Sequence, residues 1–284
     1  MNITHSYEGL GREYLQTRKG LYGFAKFIIS HLDLDKNFVH FPLTIIELGV
    51  GSGQQTEFIE KELNSKNLLQ YRILAFDKSY QSNPNQSPGQ LNILRDRIKK
   101  GEISSRVTPI HFDFDGVALP INSRSVDFTY MANVFHHLVR KQEVLNEIAR
   151  VTGSRGRHFI LGVTIEDLER HPLNEYFPSK YKYDALRYPT MMQLIQMFES
   201  AGFTFEQPHS VGRYNEKSID RSFLASVENT TLDSVLQMIK EDDPVAFRKG
   251  VDRIQREVEK GETSGNYRFY FNDALKVFWG KYRR

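Results

Sequence analysis

Short apolar runs separated by helical repeats organise the first 165 residues. Leu15, Leu21, Phe24, Phe27, Ile28 and Leu32 recur at helical spacing within residues 10–34, which predicts one or two amphipathic entry helices. Residues 43–48 (LTIIEL) form a β-branched run of the length and composition of a buried strand. A glycine loop follows, then a helical pattern through Phe58, Ile59 and Leu63. Residues 72–79 (RILAFDKS) read as a second strand ending in an acid, and 82–90 as a loop rich in Pro, Asn and Gly. A helix from 91, a third strand at 106–114, a fourth at 125–134, a helix over 140–151 and a fifth strand at 157–164 complete the series. Strands alternating with helices at this interval require crossover connections and hence a mostly parallel sheet.

Past residue 164 the periodicity weakens. The segment through Tyr176, Phe177, Tyr181, Tyr183 and Tyr188 is rich in Tyr and Pro and reads as an ordered loop with a helix or two. Residues 190–203 predict a helix closed by Gly202, whose backbone suits a left-handed cap. The alternation in 203–211 predicts a sixth strand. Leu224, Val227, Leu232, Val235, Leu236, Ile239, Val251, Ile254 and Val258 place helices across 216–262, and the aromatic tail reads as a final strand. The organisation expected is one domain over 1–284. It comprises a helical cap (1–40), a core (41–165), a lid loop, helix and sixth strand (166–215), a helical insertion (216–265) and the last strand (266–284). The fold class is α/β, a doubly wound, mostly parallel seven-stranded sheet with a helical entry and a helical insertion near the C-terminus.

Composition removes several chemistries. The 284 residues are 39% hydrophobic and 26% charged, ordinary for a globular protein, and the net charge of +3 does not point to nucleic acid. With no cysteine, thiolate nucleophiles, disulfides and cysteine metal sites are excluded. No apolar run approaches bilayer length, and the N-terminal residues lack the apolar core of a signal peptide, so a cytoplasmic location without membrane association is expected.

The sharpest feature is Glu47-Leu-Gly49-Val-Gly51-Ser-Gly53, between a buried strand and a helix. Glycines at every second position permit a tight bend and close approach to a ligand. The spacing is not the dinucleotide G-x-G-x-x-G, and no Gly-Lys-Ser/Thr follows as in a Walker loop. The segment IIELGVGSGQQTEFI resembles the first motif of class I S-adenosylmethionine-dependent methyltransferases, small-molecule type. Further stretches follow in that family's order: LAFDKS, HFDFDGVALP, SVDFTYMANVFHHL and VLNEIARVTGSRGRHFILG. The resemblance covers residues 5–165 well and 186–211 loosely.

The resemblance implies a Rossmann-like fold and S-adenosylmethionine as cofactor. It further implies a cofactor set of Glu47, Gly49, Gly51, Gly53, Asp77, Lys78, Asp113, Phe114 and Asn133. Asp77 would hold the ribose hydroxyls, and Asp113 would meet the adenine amino group. YEGLGREYLQTR resembles the family's entry helix, which places Tyr14 and Arg18 at the methionine end and Tyr7 toward the substrate. In a parallel sheet the strand ends converge on one edge, so Gly49, Asp77, Asp113 and Asn133 are expected to line a single crevice. Asp77 as a helix cap, and Asp113 or Asp115 as turn formers, are the competing readings.

Methyl transfer is an in-line displacement in which the protein supplies alignment and sometimes a base. Histidine as a residue type titrates near neutrality, and His136 and His137 are the catalytic candidates, with a bracing role as the alternative. Adjacent residues on a helix diverge by about 100°, so one of the two is expected to face the cavity. Tyr181, Tyr188 and Arg213 are candidate substrate contacts, against packing or solvated surface roles. No metal site is expected. The expected activity is methylation of O or N on a small-molecule acceptor, a specialised metabolite being one candidate, by a monomer or homodimer. A non-catalytic methyltransferase-like binding protein is the alternative. An RNA methyltransferase or an NAD-linked oxidoreductase is weaker still, since no basic aromatic stripe or third in-register glycine is present.

Overall fold

The computed structural model describes residues 22–32, 42–81, 88–153, 156–211, 215–272 and 275–283. In chain order the helices are α1 (Tyr22–Ser30), α2 (Gln54–Ser65), α3 (Gln90–Lys99), α4 (Lys141–Thr152), α5 (Ile165–Leu168), α6 (Leu173–Tyr176), α7 (Lys180–Ala185), α8 (Met191–Ser200), α9 (Arg221–Glu228), α10 (Ser234–Asp242) and α11 (Pro244–Ser264). The strands are β1 (Leu43–Leu48), β2 (Tyr71–Asp77), β3 (Val107–His111), β4 (Phe128–Ala132), β5 (Arg157–Gly162), β6 (Phe203–Ser210), β7 (Asn215–Ser218), β8 (Phe269–Asn272) and β9 (Lys276–Tyr282). They fold as two compact units, 1–162 with 193–212 and 275–284, and 163–192 with 213–274.

The first unit holds a seven-stranded sheet in the order β3-β2-β1-β4-β5-β9-β6. Strands β1 to β5 pair in parallel, and β9 runs antiparallel between β5 and β6. All six residues of β1 are buried, as a central strand covered on both faces requires. The chain enters at β1, steps outward to β3 and returns to β4 on the other side of β1. The β1/β4 boundary is therefore the topological switch point, where the carboxyl ends of parallel strands open a crevice. Helix α1 buries Phe24, Ala25, Phe27, Ile28 and Ile29 into this core. Phe27 is stacked between the rings of His31 (3.9 Å) and His209 (4.8 Å).

Several strands are shorter than the sequence predicts. The third stops at His111 rather than 114 because an Asp113–Gly116 turn, with Gly116 at φ +77°, redirects the chain. The fourth stops at Ala132 because Asn133 takes φ +57°, a conformation no strand continues through. Gly202 does adopt the left-handed conformation (φ +92°) expected after α8.

The second unit joins segments that the sequence assigns separately to a lid and an insertion. Tyr176 and Phe177 are buried with Phe223, Leu236, Ile239, Phe247, Val251 and Ile254 in one apolar core. Phe177 stacks on Phe247 (5.7 Å) and lies so close to Gly250 that a Cβ there would sit 2.3 Å from its Cε1. Helices α9, α10 and α11 each start on an aspartate, Asp220, Asp233 and Asp243, whose carboxylate accepts first-turn N–H groups. The expected helical insertion (216–265) opens with β7 instead of a helix, and the expected single final strand is two. Strand β8 pairs antiparallel with β7 in a two-stranded sheet, while β9 completes the large sheet. Among the described residues no helix is long and apolar enough to cross a membrane.

Candidate functional site

The glycine loop leaves β1 by a left-handed path. Gly49, Gly51 and Gly53 take φ of +75°, +55° and +80°, which glycine adopts without the Cβ penalty. The N–H groups of Gly49 and Val50 donate to the Phe76 carbonyl (2.8 and 3.1 Å), pinning the bend to β2. Gly51 N–H donates to Oδ2 of Asp77 (2.7 Å), and Ser79 N–H to Oδ1 (2.7 Å). Gly53 caps α2 and packs on Leu94 and Ile103, where a Cβ would lie 2.5 and 2.8 Å away. Arg97 braces the loop from behind, donating Nη1 to the Ser52 carbonyl (3.1 Å) and pairing with Glu102 (3.0 Å) and Glu57.

Two acids stand at the strand ends and are enclosed. Asp77, at the last position of β2, is buried, which raises its carboxyl above the ordinary value while the Gly51 and Ser79 N–H groups pull it back. Glu47 is 1% exposed; Thr56 Oγ1 (2.5 Å) and Tyr130 Oη (2.6 Å) both donate to its Oε2. Burial pushes Glu47 up to about 7, the two hydroxyls opposing the rise and Asp77 and Glu60 adding to it.

Some of the remaining predicted residues lie in the loops that follow β2, β3 and β4. Phe112 N–H donates to the Asp77 carbonyl (3.0 Å), setting the 112–114 turn beside the end of β2. Asp113 is exposed and accepts from Asp115 N–H (3.2 Å), so it forms the turn, while Phe114 is buried. Lys78 is exposed and lowers the Asp77 carboxyl by its charge. Asn133, half-buried, donates its N–H to the Leu161 carbonyl (2.9 Å). His136 and His137 lie in a single 3₁₀ turn, Phe135–His137, their rings 3.9 Å apart. Side-chain rotation thus brings together two rings that an α-helix would splay. Tyr14, Arg18, Tyr7 and Arg213 lie outside the described residues. Tyr181 is exposed on α7 and Tyr188 is half-buried beneath Arg187 (5.9 Å), both in the second unit.

Several groups at this edge escape sequence reasoning. Tyr130 and Thr56 look like core and helix residues, and only the β1/β4 register, which sets Tyr130 opposite Glu47, shows their partner. Asp115 accepts from Val139 and Arg140 N–H (2.8 Å each) and ties the 113–117 loop to the histidine turn. Ser52 Oγ and both amide atoms of Gln55 are buried beside the glycine loop without a hydrogen-bond partner.

Residues 46–160 match the family model of the methyltransferase domain. Residues 46–160 are a class I methyltransferase domain. The curated proteins offer no match. Among solved structures, the chain is similar to the Haloferax volcanii chain solved with the Trm112 methyltransferase activator, at 15% identity and TM-score 0.55 over 98% of this chain and 96% of that one. It is also similar to an S-adenosylmethionine-dependent methyltransferase of Aquifex aeolicus, at 18% identity and TM-score 0.50 over 70% and 92% of the two chains. The [4+2]-cyclase SpnF shares the fold at 14% identity and TM-score 0.52 over 92% and 81%.

The cofactor of the methyltransferase domain is S-adenosylmethionine, and the residues present fit it. A Cβ at Gly51 would meet nothing within 4 Å, so the loop has open space on that side. Each Asp77 oxygen takes one N–H and retains a lone pair for a vicinal hydroxyl. The orphaned Ser52 and Gln55 groups offer further polar contacts at the start of α2. No cluster of three metal-ligating side chains exists among the described residues.

Proposed function

We propose that the chain methylates O or N of a small-molecule acceptor, with the cofactor held between the glycine loop and Asp77. The observation that carries this reading is the 2.7 Å bond from Gly51 N–H to Asp77. It joins a loop with room for a ligand to a buried carboxylate that still has acceptor capacity. S-adenosylmethionine supplies, when bound, a methyl group activated on a sulfonium. Asp77 accepts the ribose hydroxyls, the glycine loop lies against the methionine end near Glu47, and Asp113, Phe114 and Asn133 line the rest of the crevice. His136 or His137 takes the acceptor proton, their half-burial and proximity supporting exchange of a proton between ring and acceptor. The enzyme acts in the cytoplasm as a monomer or homodimer.

The deciding experiment is calorimetric titration with S-adenosylhomocysteine, with NADH as control, on the wild type and Asp77→Ala. Micromolar binding of the first ligand alone, weakened at least ~30-fold in the variant by loss of charge-assisted bonds, is expected. Unchanged affinity in Asp77→Ala removes the ribose assignment. His136→Ala and His137→Ala, assayed by methyl incorporation into candidate acceptors, are expected to lower turnover with affinity for S-adenosylhomocysteine retained.

A further inference from the structure

Glu47 is a carboxyl group in an acidic enclosure. Its charged neighbours are Glu60 of α2 and Asp77 of β2, both of which disfavour its ionisation. Glu60 is already occupied by Tyr71 Oη (2.9 Å) and Ser104 N–H (3.0 Å), and Asp77 by two backbone N–H groups. No described basic side chain forms an ion pair with Glu47. Its stabilisation comes from two hydroxyls converging on one oxygen, Oε2, from Thr56 on α2 and Tyr130 on β4. No described group donates to Oε1. A buried carboxylate so arranged lacks a cation, and the methionine end of the cofactor carries one, its ammonium.

We propose that Tyr130 and Thr56 are positioning residues for the cofactor, acting through Glu47: their hydroxyls favour its carboxylate form and leave Oε1 to the cofactor ammonium, so that binding is coupled to loss of the proton that Glu47 carries in part of the free enzyme. This rests on the reading of Glu47 as a cofactor residue. Tyr130 keeps its own proton throughout, because burial and the adjacent Glu47 push its hydroxyl far up. Since burial has brought Glu47 to about 7, part of the free enzyme carries the proton at neutral pH, and the arriving ammonium expels it. Removing either hydroxyl disfavours the anion further. The loss of affinity is then largest near and below neutrality and closes at higher pH, where Glu47 ionises regardless. A hydroxyl that served only packing would weaken binding equally at every pH.

The test is titration with S-adenosylhomocysteine, which carries the same ammonium, from pH 5.5 to 8.5 in two buffers of different ionisation enthalpy. Wild type is expected to bind more tightly as pH rises through about 7, releasing up to one proton per site on the acid side. In Tyr130→Phe and Thr56→Val the rise moves up by about one pH unit. Affinity then falls ~5-fold at pH 7, approaching ~10-fold at pH 5.5, but stays within ~3-fold of wild type at pH 8.5. Thr56→Ser, which keeps the hydroxyl, follows wild type. Glu47→Gln loses the proton release and gives the baseline, with the charges of His111 and Lys78 that face Asp77 unchanged. Equal weakening of Tyr130→Phe and Thr56→Val at all pH values, or proton release unchanged in Glu47→Gln, overturns the proposal while Asp77→Ala still reports on the cofactor reading. Failure of wild type to bind the probe overturns both.

Discussion

Gly49 and Val134 approach so closely that no side chain fits between them: a Cβ built on Gly49 would lie 2.3 Å from Cγ2 of the valine. The contact locks the loop after β1 to the loop after β4, the two sides of the switch point. Gly49→Ala combines an unfavourable left-handed φ with overpacking, and the expected destabilisation is about 3 kcal/mol. Adding Val134→Ala removes the clash but not the φ strain, so the double variant is expected to recover roughly half of the loss. Urea unfolding of the two variants measures this, and a double variant no better than Gly49→Ala shows that the clash is relieved by other movements.

Gly51 poses the opposite case. Its φ is +55°, yet a Cβ there meets nothing within 4 Å. Gly51→Ala therefore costs only the backbone strain, about 1 kcal/mol in folding. The new methyl stands in the open space assigned to the cofactor, and the expected loss of affinity for S-adenosylhomocysteine is ~10-fold or more. Unaltered affinity with the strain present places the cofactor away from the loop.

These two glycines mark what can be read in the chain and what cannot. The central sheet is legible because LTIIEL, FTYMA and HFIL are apolar runs that only a two-sided core accommodates. The glycine loop and Asp77 are legible because their chemistry is local: one bend, and one acid at a strand end. Tyr130 is not legible, since its hydroxyl meets Glu47 only through a register between strands 83 positions apart. Strand β7 is a polar four-residue segment with no hydrophobic alternation, and its role appears only when β8 pairs with it. Tyr176 and Phe177 read equally as lid or core, because an aromatic run carries no period. Their partners, Phe247 and Gly250, lie some seventy residues further on.

In the second unit the buried Lys180 is held by Asp184 (2.7 Å) and Asp233 (3.0 Å), which fastens α7 to the start of α10. Lys180→Met leaves two carboxylates without their cation, and breaking a buried pair from one side costs about 3–5 kcal/mol. Lys180→Met combined with Asp184→Leu removes the more deeply buried of the two stranded charges. The double variant is expected to be the more stable of the two by at least ~1 kcal/mol. Denaturant unfolding of both variants decides it, and a single variant of wild-type stability would mean that the lysine is not needed to hold these helices.

His158 and Glu47 push stability in opposite directions over one acid range. His158, fully buried on β5 with Nδ1 2.7 Å from Thr129 Oγ1, is lowered to about 3 by burial. The unfolded chain takes up this proton near 6.5 while the folded chain does not. The His158 contribution is thus complete above pH 6.5 and is lost as pH falls toward 3, by up to 1.36 kcal/mol per pH unit. Glu47 has the reverse sign. Its folded value of about 7 exceeds its ordinary 4.5, so the folded state is favoured below 4.5 and loses that advantage as pH rises through about 7. His158→Gln keeps a polar amide beside Thr129 and does not titrate. Relative to this variant, wild type is expected to lose about 3 kcal/mol between pH 6.5 and 4. Glu47→Gln is expected to gain on wild type between pH 4.5 and 8, in the absence of cofactor. Unfolding of the three proteins at fixed pH steps separates the two contributions. A difference between wild type and His158→Gln that stays constant across the acid range shows that the imidazole takes up its proton in the folded chain.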